Sequence, residues 1–219
     1  MQTNSTNVVR AARTLLRCGV ASGLIFLLIF VIQILIHPEF HFTHSEPSRL
    51  SIGALGWIQI ANSVIGGLLV IAGGLGMRRV LRLSKGRGWG PFLIEIFGVG
   101  QVGLGVFVAD PVGSATSMTF HGAMHLIFGG ASFEGLMAAC FAFVRTFISL
   151  GQKPWAIFSA MIGLLFLAAF FSAANASQGA TSIQFFLNLI FVLAWAWISL
   201  ISNQLLGMVS AWETAQSVN

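Results

Sequence analysis

Apolar residues fall in six runs of about 20, separated by short polar segments: approximately Cys18 to Ile36, Ala54 to Met77, Pro91 to Ala109, Gly122 to Val144, Trp155 to Ala174 and Ile183 to Val209. About 20 apolar residues wound as a helix cross a hydrocarbon core of roughly 30 Å. Within the runs apolar and polar positions do not alternate, as the strands of an outer-membrane barrel would require. With no water in the bilayer to satisfy backbone groups, helices are the remaining solution. The pattern predicts an all-α polytopic membrane protein, a bundle of six transmembrane helices in one domain spanning residues 1–219.

Composition agrees with that reading, since 56% of residues are hydrophobic, 8% are charged and the mean hydropathy is +0.88. A water-soluble domain does not look like this. Charge then adds direction. Arg10, Arg13 and Arg17 precede the first run, Arg78, Arg79, Arg82, Lys85 and Arg87 separate the second from the third, and Arg145 and Lys153 link the fourth to the fifth. Only Arg49 lies in an alternate segment, so ten of the eleven basic residues share one side. Positive loops stay in the cytoplasm, which predicts cytoplasmic termini, outer loops at 37–53, 110–121 and 175–182, and residence in a cell membrane of bacterial inner-membrane type. A pI near 10.7 is thus a topology signal and an attraction to anionic headgroups, with no nucleic-acid partner implied.

The first run is too long for a secretory h-region and no small-x-small cleavage site follows it, so it reads as a retained helix. Residues before it and after Trp212 read as short solvated ends. Cys18 and Cys140 fall near cytoplasmic ends of their runs, where thiols stay reduced and no structural disulfide is expected. Gly98, Gly100, Gly103 and Gly105 spell a literal G-x-G-x-x-G, but they lie inside a membrane run without the strand and distal acidic residue of a dinucleotide site. There, as at Gly66, Gly67, Gly73, Gly74, Gly76, Gly129 and Gly130, small residues let helices approach closely.

Two carboxyls, Glu95 and Glu134, stand inside runs, where a central acid costs about 2.5 to 3.5 kcal/mol on insertion scales. Glu95 lies about six residues, roughly 9 Å, beyond Trp89, and Glu134 about eleven residues, roughly 16 Å, above Arg145. If the third and fourth helices are neighbours, the two could share a proton, as in a carrier; alternatively each is protonated and hydrogen-bonded locally.

Between the third and fourth runs, Asp110 is followed by His121 and His125, which are four residues apart and so on one helical face. Two such imidazoles can grip a zinc ion, with a carboxylate as third ligand and an open position for water. Asp110 would then be a ligand or the general base of a catalytic site. The alternative is a helix start whose imidazoles hydrogen-bond to Asp110 and to loop carbonyls, with Asp110-Pro111 followed by Gly113 serving to stop a helix and turn. Gln59, Asn62 and Ser63 present a polar face near the same level. His37, Glu39, His41 and His44 lie in the first outer loop, where they complete a site or merely hydrate an interface.

In three segments the sequence resembles a known family: G-W-I-Q-I-A-N-S-V-I-G-G-L-L at Gly56 to Leu69, G-V-F-V-A-D-P at Gly105 to Pro111, and H-G-A-M-H at His121 to His125. They are similar to the signature of bacterial and archaeal six-helix membrane proteins known as domain of unknown function nine-nine-eight. The resemblance implies the fold and the membrane location and brings no activity. A more distant resemblance is to membrane hydrolases related to alkaline ceramidases, which combine Ser, Asp and several His around zinc. Asp110, His121 and His125 would be the matching residues, although this chain has six runs rather than seven and carries its H-x-x-x-H in the fourth.

Three functions follow from these features. The first is a non-enzymatic small carrier or component of a membrane complex, partnered by other membrane proteins or by its own copies. The second is a metal-dependent hydrolase working at the outer leaflet through the Asp/His cluster. The third, a haem or quinone redox protein, needs a ligand from a second helix that is not evident, because His121 and His125 cannot reach opposite faces of one haem.

Overall fold

A computed structural model describes residues 2–82, 88–111, 118–174 and 181–217. Six α-helices make up most of it: α1 (Gln2–Ile36), α2 (Gly56–Arg82), α3 (Gly90–Val106), α4 (Phe120–Ser149), α5 (Lys153–Ala174) and α6 (Thr181–Ser217), with a 3-10 turn at Pro47–Ser51. No strand occurs among the described residues. Five of the helices are long and apolar enough to cross a membrane, as a multi-pass membrane protein requires, while α3, at 17 residues, is shorter.

The helices overshoot the apolar runs. α1 already begins at Gln2 and α6 continues to Ser217, so the polar ends expected to be merely solvated are helical. Hydropathy marks what lipid can cover, whereas a helix continues wherever its backbone bonds do. α3 errs the other way and stops at Val106, not Ala109, because Phe107 turns to an extended conformation at φ −107°, ψ 94°. Asp110 precedes a proline, which disfavours helical geometry at that position and keeps the chain from resuming the helix.

Successive helices are antiparallel neighbours, and α6 returns to α1, closing a ring. Small residues set the approach where the ring is tightest. A β-carbon on Gly67 of α2 would lie 2.6 Å from the Gly98 carbonyl of α3, and one on Gly73 would lie 2.7 Å from Gly19 Cα on α1. Gly130 and Gly129 depart from this expectation: the first faces open space, and the second meets only Leu104, at 3.5 Å. The turn from α4 to α5 depends on Gly151 at φ +72°, with Gln152 N–H donating to the Phe147 carbonyl, 2.8 Å, and Gly151 N–H to that of Ile148, 3.0 Å. A left-handed residue after the helix end, closing the last carbonyls in this way, is a role for glycine.

Midway along the axis the ring is filled by aromatics. Trp195 of α6, fully buried, stacks on Phe26 of α1 with ring centroids 3.7 Å apart and meets Phe97 of α3 edge-on at 5.3 Å. Gly66 makes the space, since a β-carbon there would sit 2.9 Å from the indole. Both chain ends, with Arg10, Arg13, Arg78, Arg82 and Arg145, lie at one end of the ring (the termini end), while the 37–55 segment closes the other, called here the cap end. Cys18 and Cys140 are free thiols.

Candidate functional site at the cap end

The cap is fastened by amides that the sequence hides inside apolar runs. Asn188 of α6 donates from Nδ2 to the carbonyls of Phe42, 2.6 Å, and Ser45, 2.9 Å, and its Oδ1 accepts from Gln184, 3.1 Å. Gln33 of α1 donates from Nε2 to the Leu50 carbonyl, 3.0 Å. Buried Phe40 and Leu50 pin the segment from its apolar side. One donor, buried with two backbone acceptors, converts a loop into a lid with a fixed position.

Beneath this lid lies a cavity of about 390 Å³ between α3, α4, α5 and α6. Its walls are mainly apolar, from Phe97, Leu104, Leu136, Phe166 and Ile190, and Gly129 borders it, which explains why that glycine is not packed against a helix. Gln101, Ser132, Gln184 and Asn188 are its neutral polar lining, and the exposed Glu46 carboxylate borders it from the cap. A smaller void of about 60 Å³ adjoins it, bordered by Ser51, Gln59, Ser63 and His125, and Gln101 lines both. Gln101 is 3% exposed, donates to Ser132 Oγ at 3.3 Å, and Ser132 in turn donates to the Phe97 carbonyl at 3.0 Å. The combined space has an apolar body and, apart from the Glu46 carboxylate at the cap, neutral hydrogen-bonding groups, the composition of pockets that hold small organic ligands.

The Asp110, His121 and His125 set takes a different shape. The Asp110 carboxylate accepts from the Thr119 N–H, 2.9 Å, and from the Thr119 hydroxyl, 2.5 Å, while Thr119 Oγ1 accepts from the Gly122 N–H, 3.0 Å. Asp110 thereby backs the N-cap of α4, where negative charge is favourable. Gly122 is required there, because any β-carbon would overlap the carboxylate. The Thr119 hydroxyl first, and then its N–H, hold the Asp110 carboxyl below the ordinary aspartate range. His125 stands with Nδ1 2.8 Å from the Phe107 carbonyl. That oxygen can only accept, so the ring donates from Nδ1 and keeps Nε2 for another partner. His121 is exposed and lies against the rings of Phe107 and Phe120. Among the described residues, no three His, Cys, Asp or Glu side chains gather as a metal site would need, the cap residues His37, Glu39, His41 and His44 included.

The polar face of α2 divides. Asn62 donates to the Phe26 carbonyl, 3.1 Å, tying α2 to α1, and Gln59 and Ser63 border the small void. Glu95 and Glu134 divide too. Glu95 pairs with Arg78 of α2 and rests where Gly74 leaves room, whereas Glu134 is exposed on the outside of α4. Arg78 was read from the sequence as a loop charge. Its place was legible, since it stands one turn before the end of α2 and Glu95 a turn and a half into α3, at matching depths of antiparallel neighbours.

The family model described as Protein of unknown function (DUF998) matches residues 20–204, which include α2 to α5 entire, the second half of α1 and most of α6. The chain belongs to this family. No curated protein and no solved structure matches it. The matched region contains the residues of the cavity lining and of the Asp110–Thr119–Gly122 cap.

Proposed function

We propose that this DUF998 protein is a non-enzymatic, six-span protein of a bacterial inner membrane, with cytoplasmic termini, that holds a neutral amphipathic molecule in the cavity beneath its cap. The observation that carries the reading is Gln101, buried between an apolar cavity and a polar void and bonded to a serine rather than to a charge. The ligand class is an apolar body ending in a hydroxyl or carbonyl oxygen, which Gln101, Gln59, Ser63 and His125 Nε2 could bond. The one carboxylate in the lining, Glu46, is exposed at the cap and would repel an anionic headgroup, and it is too solvated to offset the desolvation of a cationic one. The basic residues at the termini end support the orientation, which places the cap on the outer side.

A monoacylglycerol carrying a diazirine in its acyl chain tests the pocket. After photolysis in purified protein, adducts are expected on the Phe97 to Leu104 and Leu187 to Ala194 segments. Labelling confined to lipid-facing side chains overturns the reading. Orientation is tested by Ser48→Cys and Ser149→Cys in a background lacking Cys18 and Cys140: an impermeant thiol reagent applied outside intact cells should label the first and spare the second.

Glu134 favours a second reading, membership of a membrane complex. It is exposed among Gly130, Ala131 and Ala138, also exposed, on the face of α4 turned from the bundle. Small residues around a polar group form a surface onto which another transmembrane helix packs. Cross-linking through Ala138→Cys in native membranes tests it; no adduct with a second copy or another protein would count against it. The hydrolase reading through Asp110, His121 and His125 draws less support, because both carboxylate oxygens are engaged by Thr119.

A further inference from the structure

At the termini end, a second pocket of about 760 Å³ lies where the last turns of α2 and α4 meet the first turn of α3. It is lined by Arg78, Arg82 and Arg145 together with Thr146, Ser149 and Trp89. Arg78 is neutralised by Glu95. Arg82 and Arg145 are exposed, and among the described residues no carboxylate pairs with either. Two uncompensated guanidiniums from different helices therefore face one space, next to the positive end of α3. Their convergence is built: Gly90 lets α3 start against Phe143, where a β-carbon would lie 2.7 Å from the ring, which sets the first turn of α3 beside Arg145 and Thr146.

We infer that this pocket binds the phosphate of an anionic phospholipid headgroup. Guanidinium forks match phosphate oxygens bidentately, and pockets of roughly 300–1,000 Å³ take whole small ligands. The lipid source follows from the rim. Trp89 is 74% exposed and Phe92 45%, both at the start of an apolar helix. Aromatic rings at that level anchor in the membrane–water interface, which is where lipid phosphates lie. Basic pockets between transmembrane helices on the cytoplasmic side have this recognition role. The site shares no residue with the cap-end cavity and does not depend on what that cavity holds.

The test uses full-length protein in nanodiscs or detergent, with phosphatidylglycerol and phosphatidylcholine as probes and native mass spectrometry as readout. Wild-type protein should retain phosphatidylglycerol in clear preference to phosphatidylcholine, with the preference falling as salt rises. Equal retention of the two lipids by wild-type protein overturns the inference, whatever any variant does. Arg82→Gln with Arg145→Gln should lower phosphatidylglycerol retention by about fivefold per arginine, roughly thirtyfold for the pair. Arg10→Gln with Arg79→Gln removes the same charge from exposed sites at the same end and should change retention little; an equal loss there would replace the pocket with diffuse charge. If the Gln pair fails to fold, the corresponding Lys pair is measured and should weaken retention by losing the bidentate contact while keeping the charge. Displacement by millimolar inorganic phosphate as complete as that by lipid would overturn the lipid assignment.

Discussion

The cap-end cavity and the termini-end pocket sit in one ring of helices, yet they use opposite kinds of polar group. The first is lined mainly by amides and hydroxyls, most of them buried and several committed to backbone or to one another, with one exposed carboxylate, Glu46, at its cap. The second is lined by arginines that are exposed and, apart from Arg78, uncommitted. Neutral dipoles discriminate by geometry over a hydrogen-bond length, while charges attract over about 8 Å at physiological ionic strength. The cavity is thus suited to choosing a shape and the pocket to choosing a sign. Salt should separate them, weakening retention at the arginines and leaving the cavity's ligand in place.

The comparison breaks most visibly at the one carboxylate drawn into the basic end. Arg78→Ala leaves Glu95 without its cation, with one oxygen already lacking a hydrogen-bond partner. Because the Arg78 side chain is one-third exposed and Glu95 15% exposed, the loss should fall below that of a fully buried pair, at about 2–3 kcal/mol in thermal or denaturant unfolding. Adding Glu95→Ala should recover part of it, since the two substitutions act on one interaction. Strict additivity would mean that the pair is incidental.

Leucine at two glycines sharpens the contrast between filled and open space. Gly67→Leu drives a side chain into the Gly98 carbonyl and should cost about 1–3 kcal/mol, as overpacking does. Gly129→Leu enters the cavity instead and should leave the melting temperature unchanged or raise it, while photolabelling by the diazirine lipid falls about tenfold, the effect of some 1.4 kcal/mol. Lost folding at both positions would show that the space beside Gly129 is not available.

The smallest effect is expected at Asp110. Its carboxyl is held below its ordinary value near 3.8, so the capping contribution is fully present above that pH and is lost as the pH falls through the lower folded value. Asp110→Asn should remove this acid-range dependence and lower stability slightly at neutral pH. A pH–stability profile below 4 unchanged by the substitution would sink the capping role.

Much of the fold is legible in the sequence because lipid imposes a single rule on backbone polar groups. The six apolar runs correspond to six helices, and Gly67 and Gly98 meet where small residues were expected to let helices close. Asp110 takes Thr119 rather than an imidazole as its partner, and of the bonds expected for the histidines the one to a loop carbonyl is present, His125 to Phe107; the Gly113 turn lies outside the described residues. What the sequence conceals is whatever depends on partners distant in the chain. Asn188 and Gln33 look like isolated amides until the cap is folded back on them, and Gln101 is masked by the glycines around it. Gly129 and Gly130 resemble packing glycines because spacing alone cannot say whether a neighbour is present.

The aromatic layer at Trp195 has a consequence for the energetics of the host membrane. Stacked against Phe26 and meeting Phe97, with an indole N–H that has no hydrogen-bond partner among the described residues, it presents any ion moving along the axis with rings where water or carbonyls would be needed. A hydrated charge shed there would bear its full Born cost. The Trp195 layer is therefore expected to resist passage of an ion along the axis, which a proton-flux measurement in vesicles would check. A ligand of the cap-end cavity would find its lateral route at the sparsely packed α5–α6 seam, which the hydrogen bond from Trp197 to Ser159, 3.2 Å, crosses near the aromatic layer.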